Sequence, residues 1–199
     1  NEFRITPEEL EPHLTPKTKA LLIGYPNNPT GAIMTRRDLQ RIAEFAEKHD
    51  LIVISDEIYG DLTYSGLHEC FAAMPNMRDR TILLNGFSKA YAMTGWRIGY
   101  ALGNADFIAA MTKIHQYTML CAPVTAQVAA IEALKHGEKY MKKMVAEYIL
   151  HFPRHYVYRH DSGGFCRKTY TPRARCIGTG YCLWKIRYGA CALFLRDEY

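Results

Sequence analysis

Three short clusters hold the side chains in this sequence whose types could do chemistry. Asn28-Pro29-Thr30-Gly31 offers an amide and a hydroxyl within a turn. Asp56-Glu57-Ile58-Tyr59 offers two carboxylates and a phenol. Gly86-Phe87-Ser88-Lys89 runs on to Thr94-Gly95-Trp96-Arg97 and offers a hydroxyl, an amine and a guanidinium. Each cluster also has a plainer reading. Asn-Pro-Thr-Gly is an ordinary turn sequence. An acidic residue after an apolar strand could hold magnesium in a nucleotide-binding fold, but no G-x-x-x-x-G-K-S/T loop accompanies it. A single lysine such as Lys89 is usually solvated, and Arg97 can lie along apolar surface or pair with a carboxylate. His68, His115 and His136 show no partner spacing that suggests catalysis or a metal site, and Glu57 is given no role.

The elements around these clusters give them a common address. Ala20-Leu21-Leu22-Ile23-Gly24 reads as a buried strand, stopped by the turn-rich Tyr25-Pro26-Asn27-Asn28-Pro29-Thr30-Gly31. Thr35 can cap a helix, with Asp38 three positions on to complete the cap. Leu39, Ile42, Ala43 and Ala46 fall on one face of that helix, and Asp50 closes it. Leu51-Ile52-Val53-Ile54-Ser55 is a second strand, apolar on both faces as parallel strands covered by helices are. Thr81-Ile82-Leu83-Leu84 and Ile98-Gly99-Tyr100-Ala101-Leu102 are a third and a fourth, and helical patterns follow over residues 105–120, 125–136 and 138–150. Pro123 stands where it can restart a helix. Alternating strands and helices predict an α/β layer fold with a mainly parallel sheet. The three clusters then follow three successive strand ends, where ligands sit in such sheets.

Order and spacing carry a resemblance. Gly86-Phe87-Ser88-Lys89-Ala90-Tyr91-Ala92-Met93-Thr94-Gly95-Trp96-Arg97-Ile98-Gly99 fits throughout the cofactor-attachment signature of the class I/II aminotransferases, the fold-type I pyridoxal-phosphate (PLP) enzymes. Asp56-Glu57-Ile58-Tyr59 and the Asn28 turn match two further motifs in the expected order, and the resemblance covers roughly residues 4–148. It implies the three-layer α/β/α large domain of that class, here incomplete.

The resemblance also implies roles. Lys89 would form the Schiff base with the PLP aldehyde and carry a proton between the amino acid α-carbon and the cofactor. Asp56 would keep the pyridine nitrogen protonated, through a charge-assisted bond roughly twice as strong as a neutral one. Asn28 and Tyr59 would hydrogen-bond the ring hydroxyl oxygen, and Ser88 and Arg97 would anchor the phosphate. Gly95 and Gly99 would let backbone pass close by, although a turn requirement explains them equally. Phe87 and Trp96 are read as packing residues. No metal is implied. The activity implied is amino-group transfer from an amino acid to a 2-oxo acid, with surroundings most like those of aspartate or aromatic aminotransferases. A C–S lyase of the same fold and a truncated, non-catalytic remnant are the competing readings. A homodimer and a cytoplasmic location are further implications.

Composition adds bounds. With 48% hydrophobic and 23% charged residues the chain reads as soluble and globular, and no apolar run nears the ~20 residues of a membrane span. It opens Asn1-Glu2-Phe3-Arg4, without Met or a secretory signal, as a piece of a longer protein would. The net charge of +5 hides two unlike parts. Residues 151–199 hold nine Lys and Arg against three Asp and Glu, whereas residues 1–150 hold 16 against 17. Four of the six cysteines (Cys166, Cys176, Cys182 and Cys191) lie in this tail, spaced 10, 6 and 9 apart with no C-x-x-C pair for zinc. Helical periodicity fails after Leu150, and no family motif places Arg173, Arg175 or Arg187 as a substrate-carboxylate clamp. The division expected is a partial PLP-binding large domain over residues 1–150 and an unrecognised basic, aromatic tail over 151–199. From about Ile149 the chain is read as out of frame or fused. The charges of the tail form no stripe or repeat, so nucleic-acid binding is not expected, nor is a membrane partner.

Overall fold

The structure is a computed structural model that describes residues 3–63, 66–151, 175–176, 181–185 and 191–196. A short helix α1 (Pro7–Leu10) leads into β1 (Thr18–Gly24), α2 (Arg36–Lys48) and β2 (Ile52–Asp56). Then come β3 (Thr81–Gly86), β4 (Gly99–Leu102) and the helices α3 (Ala105–Thr118), α4 (Val124–His136) and α5 (Glu138–His151). Three further strands, β5 (Arg175–Cys176), β6 (Tyr181–Lys185) and β7 (Cys191–Arg196), complete a seven-stranded sheet in the order β4-β3-β2-β1-β7-β6-β5.

The sheet is mixed. β1, β2 and β3 run parallel, as expected, and each β-to-β crossover carries a helix or a run of 3₁₀ turns. β4 pairs antiparallel with β3, placing Gly99 opposite Gly86. A Cβ on Gly86 would lie 2.9 Å from the Gly99 Cα, so the two glycines are what allow these strands to close at their ends. Gly99 thus has the close-approach role foreseen for it, whereas a Cβ on Gly95 would meet nothing within 4 Å. At the other edge β7 pairs antiparallel with β1 and β6 with β7. These strands lie in the tail, where the sequence reading foresaw none. Tyr181-Cys182-Leu183-Trp184-Lys185 and Cys191-Ala192-Leu193-Phe194-Leu195-Arg196 are rich in residues that suit strands, and β1 offers them an edge. The break expected near Ile149, and residues 152–174 with it, fall largely outside the described residues.

The core explains why the N-terminal half folds as it does. Thr35 caps α2 reciprocally: its Oγ1 accepts from the Asp38 amide at 3.2 Å, and Asp38 Oδ2 accepts from the Thr35 amide at 2.9 Å. The foreseen face of Leu39, Ile42, Ala43 and Ala46 is buried, together with Phe45. It packs on Leu21, Ile23 and Val53 of the sheet and on Leu10, Phe71, Met74 and Met77. Fully burying a side chain such as Ile42 or Phe71 contributes roughly 1.5–3 kcal/mol. The opposite faces of β1 and β2, with Leu22, Ile52 and Ile54, are only half-buried among the described residues. A second, smaller cluster of Phe87, Met93 and Ala130 ties α4 to the segment after β3. That segment carries Lys89.

Candidate active site

The strand ends bring the predicted residues to one edge of the sheet. Register pairs Gly24 with Asp56 and Asp56 with Leu84, so the loops after β1, β2 and β3 leave the sheet side by side. Asn28 reaches across from the first loop and donates through Nδ2 to the Tyr59 hydroxyl at 3.0 Å, over 31 residues of sequence. Lys89 comes from the third loop, with its Nζ 5.4 Å from the centre of the Tyr59 ring. At that distance the ammonium lies within the reach of the ring's negative face. Half-buried Asp56 accepts from the Ile58 amide through Oδ1 at 3.1 Å, a local turn that leaves Oδ2 without a hydrogen bond among the described residues. Lys89 Nζ likewise has no hydrogen-bond acceptor there.

Ser88 and Arg97 are joined through Thr94. The Thr94 hydroxyl donates to the Ser88 carbonyl at 2.8 Å, and Arg97 Nη1 donates to the Thr94 carbonyl at 3.0 Å. Arg97 holds φ 54°, ψ 49°, left-handed backbone that costs a non-glycine residue on the order of 1–2 kcal/mol. Strain of this kind persists where surroundings over-determine it, often at functional sites. Phe87, 4% exposed, anchors the lysine loop between Tyr91 and Tyr100, with ring centroids 5.6 and 5.7 Å away. Burial and the nearby Asp61 carboxylate raise the phenol pKa of both tyrosines. Trp96, expected to pack, is 47% exposed instead and lines an open cavity of about 390 Å³ together with Arg97, Pro123 and Ala126. It is the last residue of a 3₁₀ turn, Thr94–Trp96.

Two residues without a role in the sequence reading lie directly behind this edge. The Glu57 carboxylate is buried and accepts from the Ser55 hydroxyl at 2.9 Å, the Phe71 amide at 2.9 Å and His68 Nε2 at 2.5 Å. Burial raises the pKa of the neighbouring Cys70 thiol, and the Glu57 carboxylate adds to the effect. Strand alternation could have flagged Glu57, since Val53, Ser55 and Glu57 share one side of the strand and Asp56 faces the other. No comparable signal marks His68, which approaches from a loop eleven residues away.

Lys89, Asp56 and the Asn28–Tyr59 pair follow the ends of three parallel strands, the place where sheets of the doubly wound kind hold ligands. The exposed Arg97, by contrast, bonds the Thr94 carbonyl and lines the open cavity beside Trp96. The family model for class I and II aminotransferases matches residues 1–156, and the chain belongs to that family. It is 43% identical over 151 residues to the aromatic-amino-acid aminotransferase 2 of Thermococcus litoralis and 44% identical over 151 residues to the aspartate aminotransferase of Pyrococcus abyssi. Each alignment covers 74% of this chain and 39% of the relative. Among solved structures, the aromatic aminotransferase from Pyrococcus horikoshii OT3 superposes with a TM-score of 0.72 at 44% identity, covering 75% of this chain and 41% of that one. The chain therefore spans about two fifths of the length of the proteins it matches.

The donor set suits PLP. The cofactor has an aldehyde, a basic ring nitrogen, a ring hydroxyl and a phosphate dianion. The site has an amine and a carboxylate oxygen both lacking hydrogen-bond partners among the described residues, with the Asn28 and Tyr59 pair beside them. Among those residues no group of His, Cys, Asp and Glu is placed to hold a metal ion, and no helix is long and apolar enough to cross a membrane.

Proposed function

We propose that the whole protein to which this chain belongs transfers an amino group from an amino acid to a 2-oxo acid, with PLP bound covalently at Lys89. When bound, PLP supplies an aldehyde that links to an amine and a ring that withdraws electrons from the substrate's α-carbon. Lys89 would hold the cofactor through its amine and would move the proton at the substrate's α-carbon. Asp56, whose Oδ2 has no hydrogen bond among the described residues, would hold the proton on the ring nitrogen. Asn28 and Tyr59, already paired at 3.0 Å, orient donors toward the ring hydroxyl oxygen. Ser88 and Arg97 would bind the phosphate, a hydroxyl and a fork of donors suited to a dianion.

The observation that carries this reading is the half-buried Lys89 amine, without a hydrogen-bond acceptor among the described residues, held over Tyr59 while Tyr59 is bonded to Asn28. Aspartate and aromatic amino acids are the proposed substrate class, on the strength of the relatives' names. The homodimer and the cytoplasmic location implied by the resemblance belong to the same proposal.

The test is borohydride reduction of the purified chain mixed with PLP, followed by peptide mass mapping. Pyridoxyl label is expected on the Lys89 peptide and is expected to vanish in Lys89→Ala. Label scattered over surface lysines, or retained in that variant, would overturn the assignment.

A further inference from the structure

Asp56 and Tyr59 both belong to one tight turn, and what holds that turn lies on its far side. Residues alternate along β2, so Asp56 faces the candidate site while Ser55 and Glu57 face the core. Removing a carboxylate from water costs several kcal/mol unless its oxygens are satisfied. Three donors from three separate places satisfy Glu57: the Ser55 hydroxyl on β2, the Phe71 amide in the following 3₁₀ turn, and His68 Nε2. The carboxylate therefore ties the returning 68–71 segment to the end of the strand.

His68 also touches the turn itself. A Cβ on Gly60 would lie 2.8 Å from His68 Cδ2 and 3.2 Å from Nε2, so the imidazole packs directly on the residue after Tyr59. The turn closes through the Gly60 amide to the Glu57 carbonyl at 2.8 Å and the Leu62 amide to the Tyr59 carbonyl at 2.9 Å. The void beside Glu57 and His68 is about 10 Å³, room for one water at most and none for a ligand. The pair acts on the protein, and its lever is the turn.

We propose that Glu57 and His68 are positioning residues: they clamp the 56–60 turn from its core side, so that Asp56 and Tyr59 face the cofactor site in a fixed relation. The purpose of the clamp rests on the PLP reading above, but its mechanical effect does not, and the test separates the two. Amide hydrogen exchange is measured on the cofactor-free 199-residue chain as wild type, His68→Ala and His68→Gln, and PLP affinity is titrated for the same three proteins. In His68→Ala the Gly60 and Leu62 amides are expected to exchange about tenfold faster, with α2 amides such as Ile42 and Ala43 unchanged. PLP affinity is expected to fall about tenfold in the same variant. His68→Gln, whose Nε2 can still donate to Glu57, is expected to restore both.

Turn amides that do not respond would overturn the clamp. So would acceleration spread equally over α2, which would make His68 a residue of general stability only. A loosened turn with undiminished PLP affinity would refute the link to the site. Should the wild-type chain fail to label at Lys89, the cofactor reading falls, and the clamp still stands or falls on the exchange data.

Discussion

The helices α2 and α3 are nearly the same length, 13 and 14 residues, and both start from a side-chain cap. They differ completely in what covers them. α2 buries Leu39, Ile42, Ala43, Phe45 and Ala46 on the sheet. α3 buries nothing among the described residues, although it is the more apolar sequence, and Ile114 and Tyr117 are 68% and 93% exposed. Apolar content alone therefore does not make a core. α2 segregates its charges onto one side and fits an existing strand pair, whereas α3 carries apolar residues around more of its circumference, as helices that need several partners do. The loops that bear Asn28, Asp56 and Tyr59 grow from the closed region, and the lysine loop is its outer neighbour.

The sharpest way to break this contrast is to cut into the α2 face. Ile42→Ala removes a fully buried side chain from the α2 face and is expected to cost about 2–5 kcal/mol, read as a lower urea midpoint. If it costs no more than a surface change, the α2 core is not what holds the chain together.

What the sequence disclosed follows the same division. The α2 face was readable because its packing repeats every three to four residues and a Thr35/Asp38 cap announces it. Strand ends and the order of the clusters were readable for a similar local reason. The strand-end rule set the loops of Asn28 and Tyr59 side by side, but their shared role was implied only by the resemblance, and the bond between them was not foreseen. The contact of His68 with Glu57 was not readable, because it depends on where a loop returns, and no periodicity encodes that. Nor was the direction of β4, which a short antiparallel return after the lysine loop decides, nor the addition of β7 to the β1 edge. The exposure of α3 was hidden for the opposite reason: its pattern states that it is apolar, and only the fold states what is there to cover it.

Alkaline titration sharpens the comparison. Tyr25 lies in the α2 core, where its hydroxyl donates to the Phe3 carbonyl and accepts from the Ile5 amide. Burial pushes its pKa up to about 12 from an ordinary 10.0. The folded state thus keeps a proton that the unfolded chain releases. Stability is full below about pH 10 and falls as pH rises toward about 12, by at most about 1.4 kcal/mol per pH unit from this group. Tyr25→Phe is expected to flatten that decline in unfolding curves taken between those pH values. Tyr100→Phe, in the open region and 39% exposed, is expected to leave most of it in place. The reverse result would put the pH-sensitive burial on the wrong side of the molecule.

The smallest effect comes from the caps, and it isolates cooperativity from burial. Thr35 accepts from the Asp38 amide at the start of α2, and Asn104 Oδ1 accepts from the Asp106 amide at 2.8 Å at the start of α3. The local chemistry is nearly equal, and either cap changed to Ala forfeits about 0.5–2 kcal/mol of helix stability. The global consequence should differ. α2 cannot fray without exposing Leu39 and Ile42, so Thr35→Ala should lower the unfolding midpoint by the full cap value. α3 has no buried residue of its own among the described residues, so Asn104→Ala should accelerate amide exchange within α3 and leave the midpoint nearly unchanged. Equal shifts of the midpoint would mean that α3 unfolds together with the core.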